Sequence, residues 1–162
     1  MMKLIISKGF YTSNKDNIIE SLLEIHSNKP AASINDEEYV YYDAEGFLHG
    51  YCHIFAYALY QKFGYEIYEI SNSSESVIHW CCISKYDGID VYIDVRGITS
   101  NFNEFLNEFQ PDIGAKPKMK IIDDIEKYND EWIQELLDFA NELIDRYYDY
   151  YSIDLIHNKN QM

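Results

Sequence analysis

The sequence predicts an α+β domain in which amphipathic helices pack on a small antiparallel sheet. Apolar residues recur at helical spacing over 51–63 and 129–151. Two strand-like segments, 77–84 and 89–95, flank a turn that contains glycine. The chain has 162 residues, of which 47% are hydrophobic and 16% aromatic. A chain of this length and composition can bury one core without staples, so general disorder is excluded.

Turn residues and helical periodicity define the N-terminal third of the chain. The predicted elements are a strand over 3–10, a helix over 13–27, a loop over 28–38 and an extended segment over 39–42. Ser13 or Asn14 can cap the helix, and Ile18, Leu22 and Ile25 recur on one face. The loop is indicated by a Lys-Pro and an Asn-Asp pair.

The middle of the chain carries the clearest helix. The predicted elements are a helix over 51–63, a strand over 65–70, a polar turn over 72–76 and strands over 77–84 and 89–95. Phe55, Ala58, Leu59 and Phe63 form one apolar stripe, and Gly64 follows where a helix stop is expected.

The C-terminal part is predicted to end in a long amphipathic helix. The predicted elements are a helix over 100–109, a loop over 110–120, a further strand over 118–122 and the helix over 129–151. Ser100 or Asn101 can cap the first of these helices. We expect residues 1–157 to form a single domain and residues 158–162 to be a frayed tail.

The turn between the two central strands sets which residues face each other. If residues 85–88 form a four-residue loop, His79 stands directly opposite Asp94, with Cβ atoms about 4.5–5.5 Å apart. A two-residue Asp87-Gly88 turn would instead place His79 opposite Arg96. The register with the four-residue loop places His79, Cys81, Asp90, Tyr92 and Asp94 on one face of the sheet. Trp80, Cys82, Val91, Ile93 and Val95 share the other, apolar face.

Charge and cysteine usage limit the possible partners and compartment. The formal net charge is −15, which argues against direct nucleic-acid or anionic-membrane binding and favours a basic protein partner. The N-terminus resembles no secretion signal, and no apolar stretch is long enough to span a membrane. Three cysteines, two of them adjacent, indicate reduced thiols in a cytoplasm. The richness in Asn, Ile, Lys, Tyr and Asp is typical of an AT-rich bacterial or phage genome.

Cys52, His79 and Asp94 form the constellation that could carry chemistry. Cys52 lies at the predicted start of the strongest helix, whose N-terminal N–H groups favour a thiolate. The adjacent Gly50 allows the backbone to approach closely, so the Cys52 N–H could serve in an oxyanion hole. His79 could act as the general base, and Asp94 could orient it. The opposing interpretation is a small buried thiol and an ordinary cross-strand pair.

The stretches GYCHIFAYAL, IHWCCI and YIDVRG resemble, in this order, the Cys, His and Asp motifs of the papain-like cysteine enzymes, above all their transglutaminase-like branch. The resemblance covers about residues 46–97. It implies a nucleophile helix packed on the sheet, with Cys52 as nucleophile, His79 as base and Asp94 as orienting residue. It also implies a protease, amidase, deamidase or acyl transferase that acts on a protein or peptide-like substrate. The residue after the cysteine is His53 instead of a tryptophan, so no subfamily is assigned.

Several alternatives remain open. No metal or other cofactor is expected, because Cys81 and Cys82 point to opposite faces and paired zinc-ligand spacing is absent. Asn35 and His49 are candidates for an oxyanion side chain, and His53 is expected to be structural. The tyrosine clusters at 39–42 and 147–151 are core edges or a binding surface. The alternative to an enzyme is an acidic binding protein that blocks a basic, nucleic-acid-binding partner without catalysis.

Overall fold

The structure is a computed structural model that describes residues 5–13, 17–33, 39–125 and 134–160. It has an α+β architecture with helices on a mostly antiparallel sheet, as the sequence predicts. The helices are α1 (Phe10–Ser13), α2 (Ile18–Leu23), α3 (Cys52–Phe63), α4 (Phe102–Asn107), α5 (Gln134–Arg146), α6 (Tyr148–Tyr151) and α7 (Ile153–Asn160). A 3-10 helix spans Ala44–Phe47. The strands are β1 (Ser7–Gly9), β2 (His26–Ser33), β3 (Tyr39–Asp43), β4 (Glu66–Ser71), β5 (Val77–Tyr86), β6 (Ile89–Asp94), β7 (Gly97–Thr99) and β8 (Lys118–Ile122).

The main sheet has six strands in the order β1-β7-β6-β5-β4-β8, and every neighbouring pair is antiparallel. Strands β2 and β3 form a separate two-stranded sheet. Strands β5 and β6, which carry two of the candidate site residues, lie in the middle of the main sheet. A central position gives these strands a neighbour on each side, which makes them a rigid support for a site.

Helix α3 has the bounds that the periodicity predicts to within one residue. Gly64 ends it in a left-handed conformation with φ of +76°, and its N–H donates to the Tyr60 carbonyl at 2.8 Å. The residues from Ile54 to Leu59 are all buried, because α3 packs against β5 on one side and α5 on the other. The helix therefore lies between the sheet and the C-terminal helix, with its N-terminus beside β5.

The hairpin between β5 and β6 corrects the predicted register. Asp87 and Gly88 adopt positive φ of 52° and 79° and form a two-residue turn, the arrangement that Asp-Gly favours between twisted strands. The pairing is Cys82 with Ile93, so the four-residue loop is wrong. His79 is consequently not directly opposite Asp94. The two are diagonal neighbours on one face, which long side chains can still bridge.

Both faces of this hairpin are buried at its open end. The predicted apolar face is confirmed, since Cys82, Val91, Ile93 and Val95 are fully buried, and the Cys82 thiol donates to the Ala56 carbonyl of α3 at 3.5 Å. On the opposite face His79 and Asp94 are also buried. Phe105 and Phe109, from α4 and the turn after it, pack against the His79 ring. The His79–Asp94 pair is therefore buried, whereas the alternation of polar and apolar residues along the strands predicts a half-exposed face.

The N-terminal part departs most from the prediction. The strand predicted over 3–10 is β1, which is three residues long, and the residues before Ile5 lie outside the described part. The helix predicted over 13–27 is shorter, since it corresponds to α2, while Ser13 ends α1 and residues 14–16 lie outside the described part. Strand β2 takes the last two residues of that predicted helix and residues 28–33 of the predicted loop. Pro30 cannot donate to a neighbouring strand, and it sits between two register shifts in the β2–β3 pairing. Tertiary pairing with β3 thus produces a strand that local propensity does not predict.

The C-terminal helix ends earlier than predicted and is broken, and residues 129–133 of the prediction lie outside the described part. Helix α5 ends at Arg146, Tyr147 caps α6, and α7 begins after Ser152 and runs into the segment predicted as a tail. The rings of Tyr147 and Tyr150 contact Phe10 at 5.3 and 5.1 Å, and Tyr151 is fully buried. These three tyrosines therefore belong to the core, and their packing bends the chain away from a continuous helix. Strand β8 and the Asn101 cap, whose side chain accepts the Glu104 N–H, are confirmed.

Within the described ranges, no helix combines the length and apolar character needed to cross a membrane.

Candidate active site

Cys52 is the first residue of α3, and its side chain is partly exposed. Its Sγ atom accepts a hydrogen bond from the Trp80 N–H of β5 at 3.3 Å. The first N–H groups of a helix have no intrahelical acceptors and carry a partial positive charge. The strand therefore donates a hydrogen bond to the sulfur, the helix terminus adds a partial positive charge nearby, and both favour a thiolate there.

The His79 ring is fully buried beside the thiol. Its Nε2–H donates to Asp94 Oδ2 at 2.9 Å, which leaves the other nitrogen, Nδ1, as the acceptor. Nδ1 is buried and makes no regular hydrogen bond within the described structure. Since Nε2 is held by Asp94, Nδ1 is the nitrogen available to take the proton of Cys52. The structure thus brings together the three residues that the sequence singles out.

Asp94 is held by more than His79. Its Oδ1 accepts the backbone N–H of Arg96 at 2.9 Å and the Arg96 Nε–H at 3.1 Å. Its Oδ2 accepts Arg96 Nη2 at 2.8 Å as well as the histidine. Asp94 and Arg96 are each only 3% exposed, so this ion pair is enclosed in the core. The carboxylate that orients the imidazole is therefore itself fixed at both oxygens.

The electrostatics of the site favour an ionised thiol. Burial raises the pKa of Cys52, but the charge of His79, the neighbouring His53 and His79 side chains and the hydrogen bond from the Trp80 N–H lower it to about 6. Burial lowers the pKa of His79, yet the Cys52 charge and Asp94 outweigh burial and raise it. Burial raises the pKa of Asp94, and Arg96 and then His79 hold it well below its ordinary range. A thiolate–imidazolium pair is the expected state near neutral pH.

Four contributors to this site were not assigned from the sequence. Phe109 stacks on the His79 ring, with centroids 4.3 Å apart and an angle of 28° between planes. His53 helps to lower the pKa of the Cys52 thiol, whereas the sequence predicts only a structural role for it. Trp80 contributes its backbone N–H, and Arg96 pairs with Asp94. Only the contribution of Arg96 has a local signal in the sequence, namely its spacing from Asp94 around a tight turn. The contacts of Phe109, His53 and Trp80 depend on the tertiary packing.

Gly50 shapes the approach to the nucleophile. Its φ of +118° strongly favours glycine, and the following Tyr51 N–H donates to the Gly46 carbonyl at 2.8 Å. This turn directs the chain from the 3-10 helix into α3, so that the N–H groups of Cys52 and His53 begin the helix. These are the backbone groups placed to stabilise an oxyanion next to the sulfur.

The two candidate oxyanion side chains are not brought to the sulfur. Asn35 lies outside the described residues. His49 is tied elsewhere, because its Nε2 is 2.9 Å from Glu108 Oε2, and its ring edge contacts Phe109. Among the described residues, backbone N–H groups are therefore the donors that would stabilise an oxyanion.

The two remaining thiols differ sharply from Cys52. Cys81 and Cys82 are fully buried, and burial raises the pKa of both thiols well above the ordinary value. Within the described ranges, no group of three or more His, Cys, Asp or Glu side chains is arranged to hold a metal ion. Cys52 is therefore the one thiol of the chain with the environment of a nucleophile.

Comparison of the chain with protein-family models, with curated proteins and with solved structures finds no match. The assignment of this site consequently rests on its own geometry and on the motifs in the sequence.

Proposed function

We propose that this chain is a thiol enzyme that acts on an amide or acyl bond through Cys52, His79 and Asp94. The observation that carries the proposal is a fully buried imidazole beside the thiol, joined to the carboxylate by a 2.9 Å His79–Asp94 hydrogen bond, together with a Cys52 pKa of about 6. A reactive cysteine needs a lowered pKa and access, and Cys52 combines a lowered pKa with partial exposure of the residue. The reaction class is acyl transfer by way of a thioester.

The chemistry follows from the position of each group. The Cys52 sulfur attacks the carbonyl carbon, and the His79 Nδ1–H protonates the leaving amine as the carbon–nitrogen bond breaks. Asp94 holds the imidazole in the tautomer that this transfer needs. In the second step His79 removes a proton from water or from an acceptor amine, which then attacks the thioester and releases the sulfur. Water gives hydrolysis or deamidation, and an amine gives transfer.

The order of these residues supports a papain-like enzyme of the transglutaminase-like branch. The nucleophile begins a helix that packs on an antiparallel sheet, and the base and the orienting residue follow on successive strands β5 and β6. Convergent sites share such geometry across folds, so the arrangement supports the chemistry more strongly than the family. A peptide-like substrate is part of the same proposal.

The decisive experiment is trapping of the acyl-enzyme. The full chain is mixed with p-nitrophenyl acetate, and p-nitrophenolate release and intact mass are followed together. We expect a burst of one equivalent and an added acetyl group on the peptide that contains Cys52. Cys52→Ala should show neither signal, with an unchanged circular dichroism spectrum.

Cys82→Ala is the matched control, because it removes a fully buried thiol and leaves Cys52 in place. This variant should retain the burst. Acetylation that persists in Cys52→Ala, or no acetylation of the wild type, would show that Cys52 is not an acyl-accepting nucleophile.

The second candidate function is an acidic binding protein that covers a basic surface of a partner. It is favoured by the net charge of −15 and by the exposed acids Glu135, Asp138 and Asp145 on α5. The two proposals separate on one variant. If Cys52→Ala retains the full biological effect of the protein, binding explains that effect and catalysis does not.

A further inference from the structure

We propose that Arg96 is a positioning residue of this site, whose guanidinium fixes the Asp94 carboxylate and, through it, the imidazole that faces Cys52. The inference rests on the proposed thiol chemistry and extends it from three residues to four. Arg96 does not touch the reacting atoms, so its effect is transmitted entirely through Asp94 and His79.

The hydrogen bonds leave Asp94 one orientation. Arg96 donates to Oδ1 from its backbone N–H and Nε, and to Oδ2 from Nη2, with distances of 2.9, 3.1 and 2.8 Å. Rotation of the carboxylate would break at least one of these bonds. The lone pair of Oδ2 that remains points to His79 Nε2. A planar guanidinium supplies this forked geometry, whereas an ammonium group does not.

The guanidinium is anchored to the rest of the fold as firmly as the carboxylate. Its Nη2 also donates to the Phe105 carbonyl of α4 at 3.0 Å. The rings of Tyr11, Phe105 and Phe109 lie 5.1, 5.0 and 5.3 Å from its central carbon. Phe109 is also the ring stacked on His79. The same packing therefore holds the arginine and the imidazole in a fixed relation.

The charges alternate along the site. In the reactive state Cys52 is negative, His79 positive, Asp94 negative and Arg96 positive, so the row is neutral as a whole. Without Arg96 the buried Asp94 would lose its largest source of stabilisation, and desolvation would raise the pKa of the carboxyl group. A neutral or rotated Asp94 no longer supports the imidazolium, so the thiol would hold its proton to higher pH.

Other ionisable groups also face this row, and none of them replaces the guanidinium. They are Tyr11 on α1, Tyr151 on α6, Glu104 on α4, Glu108 after α4, Cys81 and Cys82 on β5, and His53 on α3. The two tyrosines are neutral, since burial raises the pKa of each well above the ordinary value. The two glutamates and the two buried thiols supply no positive charge. His53 acts on the Cys52 thiol and lowers its pKa.

Arg96 can be replaced by a small molecule because it lines a cavity. This cavity of about 480 Å³ is bounded by Tyr11, Ile18, Arg96, Glu104, Asn107 and Glu108, among others. Truncation of Arg96 to alanine would extend the cavity toward Asp94. A free guanidinium ion, which has the shape and charge of the lost group, can then reach the carboxylate from this side.

The test measures alkylation of Cys52 by iodoacetamide across a pH series in the full chain, with the labelled residue located by mass spectrometry. In Arg96→Ala we expect the inflection to move upward by about one pH unit, so that labelling at pH 6 slows about fivefold. Millimolar guanidinium should return it toward the wild-type profile. Urea, which has the same shape and no charge, should not. Arg146→Ala, the exposed arginine of α5, should behave as the wild type.

Arg96→Lys keeps the positive charge but loses the forked geometry of the guanidinium. This variant therefore tests the proposal if Arg96→Ala does not fold. We expect an inflection between those of the wild type and Arg96→Ala. A wild-type profile in Arg96→Lys, or in a folded Arg96→Ala, overturns the proposal, as does an Arg96→Ala profile that guanidinium leaves unchanged. These outcomes differ from failure of the proposed function, in which the wild-type Cys52 itself shows no inflection near pH 6.

Discussion

At the scale of single residues, the sulfur of Cys52 is subject to opposing effects. Burial disfavours its ionised form, while His79, His53 and the Trp80 N–H favour it, and the second group prevails. An exposed cysteine elsewhere on this acidic surface would have only solvent and like charges around it. The lowered pKa of Cys52 is therefore a property of the residues around it, above all of His79.

Replacement of His79 tests which of these effects dominates. In His79→Ala the thiol loses the largest favourable interaction, so its pKa should rise from about 6 toward the ordinary value of 9.0. Because the thiolate is the reactive form, the alkylation profile should move to higher pH and labelling at pH 7 should slow. The measurement is the rate of iodoacetamide labelling against pH.

His26→Ala is a suitable control, since His26 is an exposed histidine on β2. It should leave the inflection near pH 6. If His79→Ala also retained that inflection, the helix N-terminus and the Trp80 N–H would be sufficient to ionise the thiol, and His79 would not be its partner.

At the scale of elements, the turn between β6 and β7 places the charged end of the site. The Val95 carbonyl accepts the Tyr151 hydroxyl of α6, and the Arg96 carbonyl accepts the Phe10 N–H of α1, both at 2.8 Å. Directly after the turn, Gly97 pairs with Gly9 of β1. Two helices and an edge strand thus contact the turn, and these contacts fix the positions of Asp94 and Arg96.

Gly97→Ala should disrupt this turn. A Cβ atom at Gly97 would lie 2.3 Å from the Lys8 carbonyl oxygen, and its φ of +118° is costly for any other residue. Strain and overpacking together should lower the free energy of unfolding by about 2–5 kcal/mol. Urea denaturation followed by circular dichroism measures this loss.

Gly88→Ala is the matched comparison for the glycine effect. Its φ of +79° is also positive, but nothing lies within 4 Å of the added atom. Its cost should be limited to about 1–2 kcal/mol of backbone strain. Equal losses of unfolding free energy in the two variants would mean that Gly97 is not tightly packed against β1.

Local patterns predicted the elements whose signals are local. The stripe in α3 and its Gly64 stop, the Asn101 cap and the strands β4 to β6 were all readable from spacing and turn residues. Strand β2 was missed because its pairing with β3 is a tertiary contact that overrides a Pro and Asn-containing sequence. The three-residue β7 and the break at Tyr147 were missed for the same reason. Arg96 was missed because its role depends on a turn that brings it back onto Asp94.

At the scale of the whole molecule, the 13 basic side chains cannot neutralise the 28 acidic ones. Some acids are paired, as Asp145 is with Lys62 and Asp90 with Lys85, both at 2.7 Å. Exposed pairs of this kind contribute little stability. Most of the surplus negative charge must therefore repel itself across the surface, which disfavours the compact state.

Added salt should accordingly stabilise the protein. The screening length falls from about 30 Å at 0.01 M to about 8 Å at 0.15 M ionic strength, so Tm should rise by a few degrees over this range. Differential scanning calorimetry in sodium chloride and in potassium chloride measures the effect. Equal shifts in the two salts indicate screening, and a lower Tm at higher salt would show that attractive ion pairs dominate the surface.

The environments of the three cysteines also set how this protein responds to oxidants. A thiol that is ionised and partly exposed is the one that peroxide converts to a sulfenic acid, and Cys52 alone has that character. Cys81 and Cys82 are sealed on the two faces of β5 and hold their protons, so neither can act as a resolving thiol in the folded chain. Recovery from oxidation must then come from a thiol outside the molecule, and without one the same sulfur is exposed to the irreversible higher oxidation states.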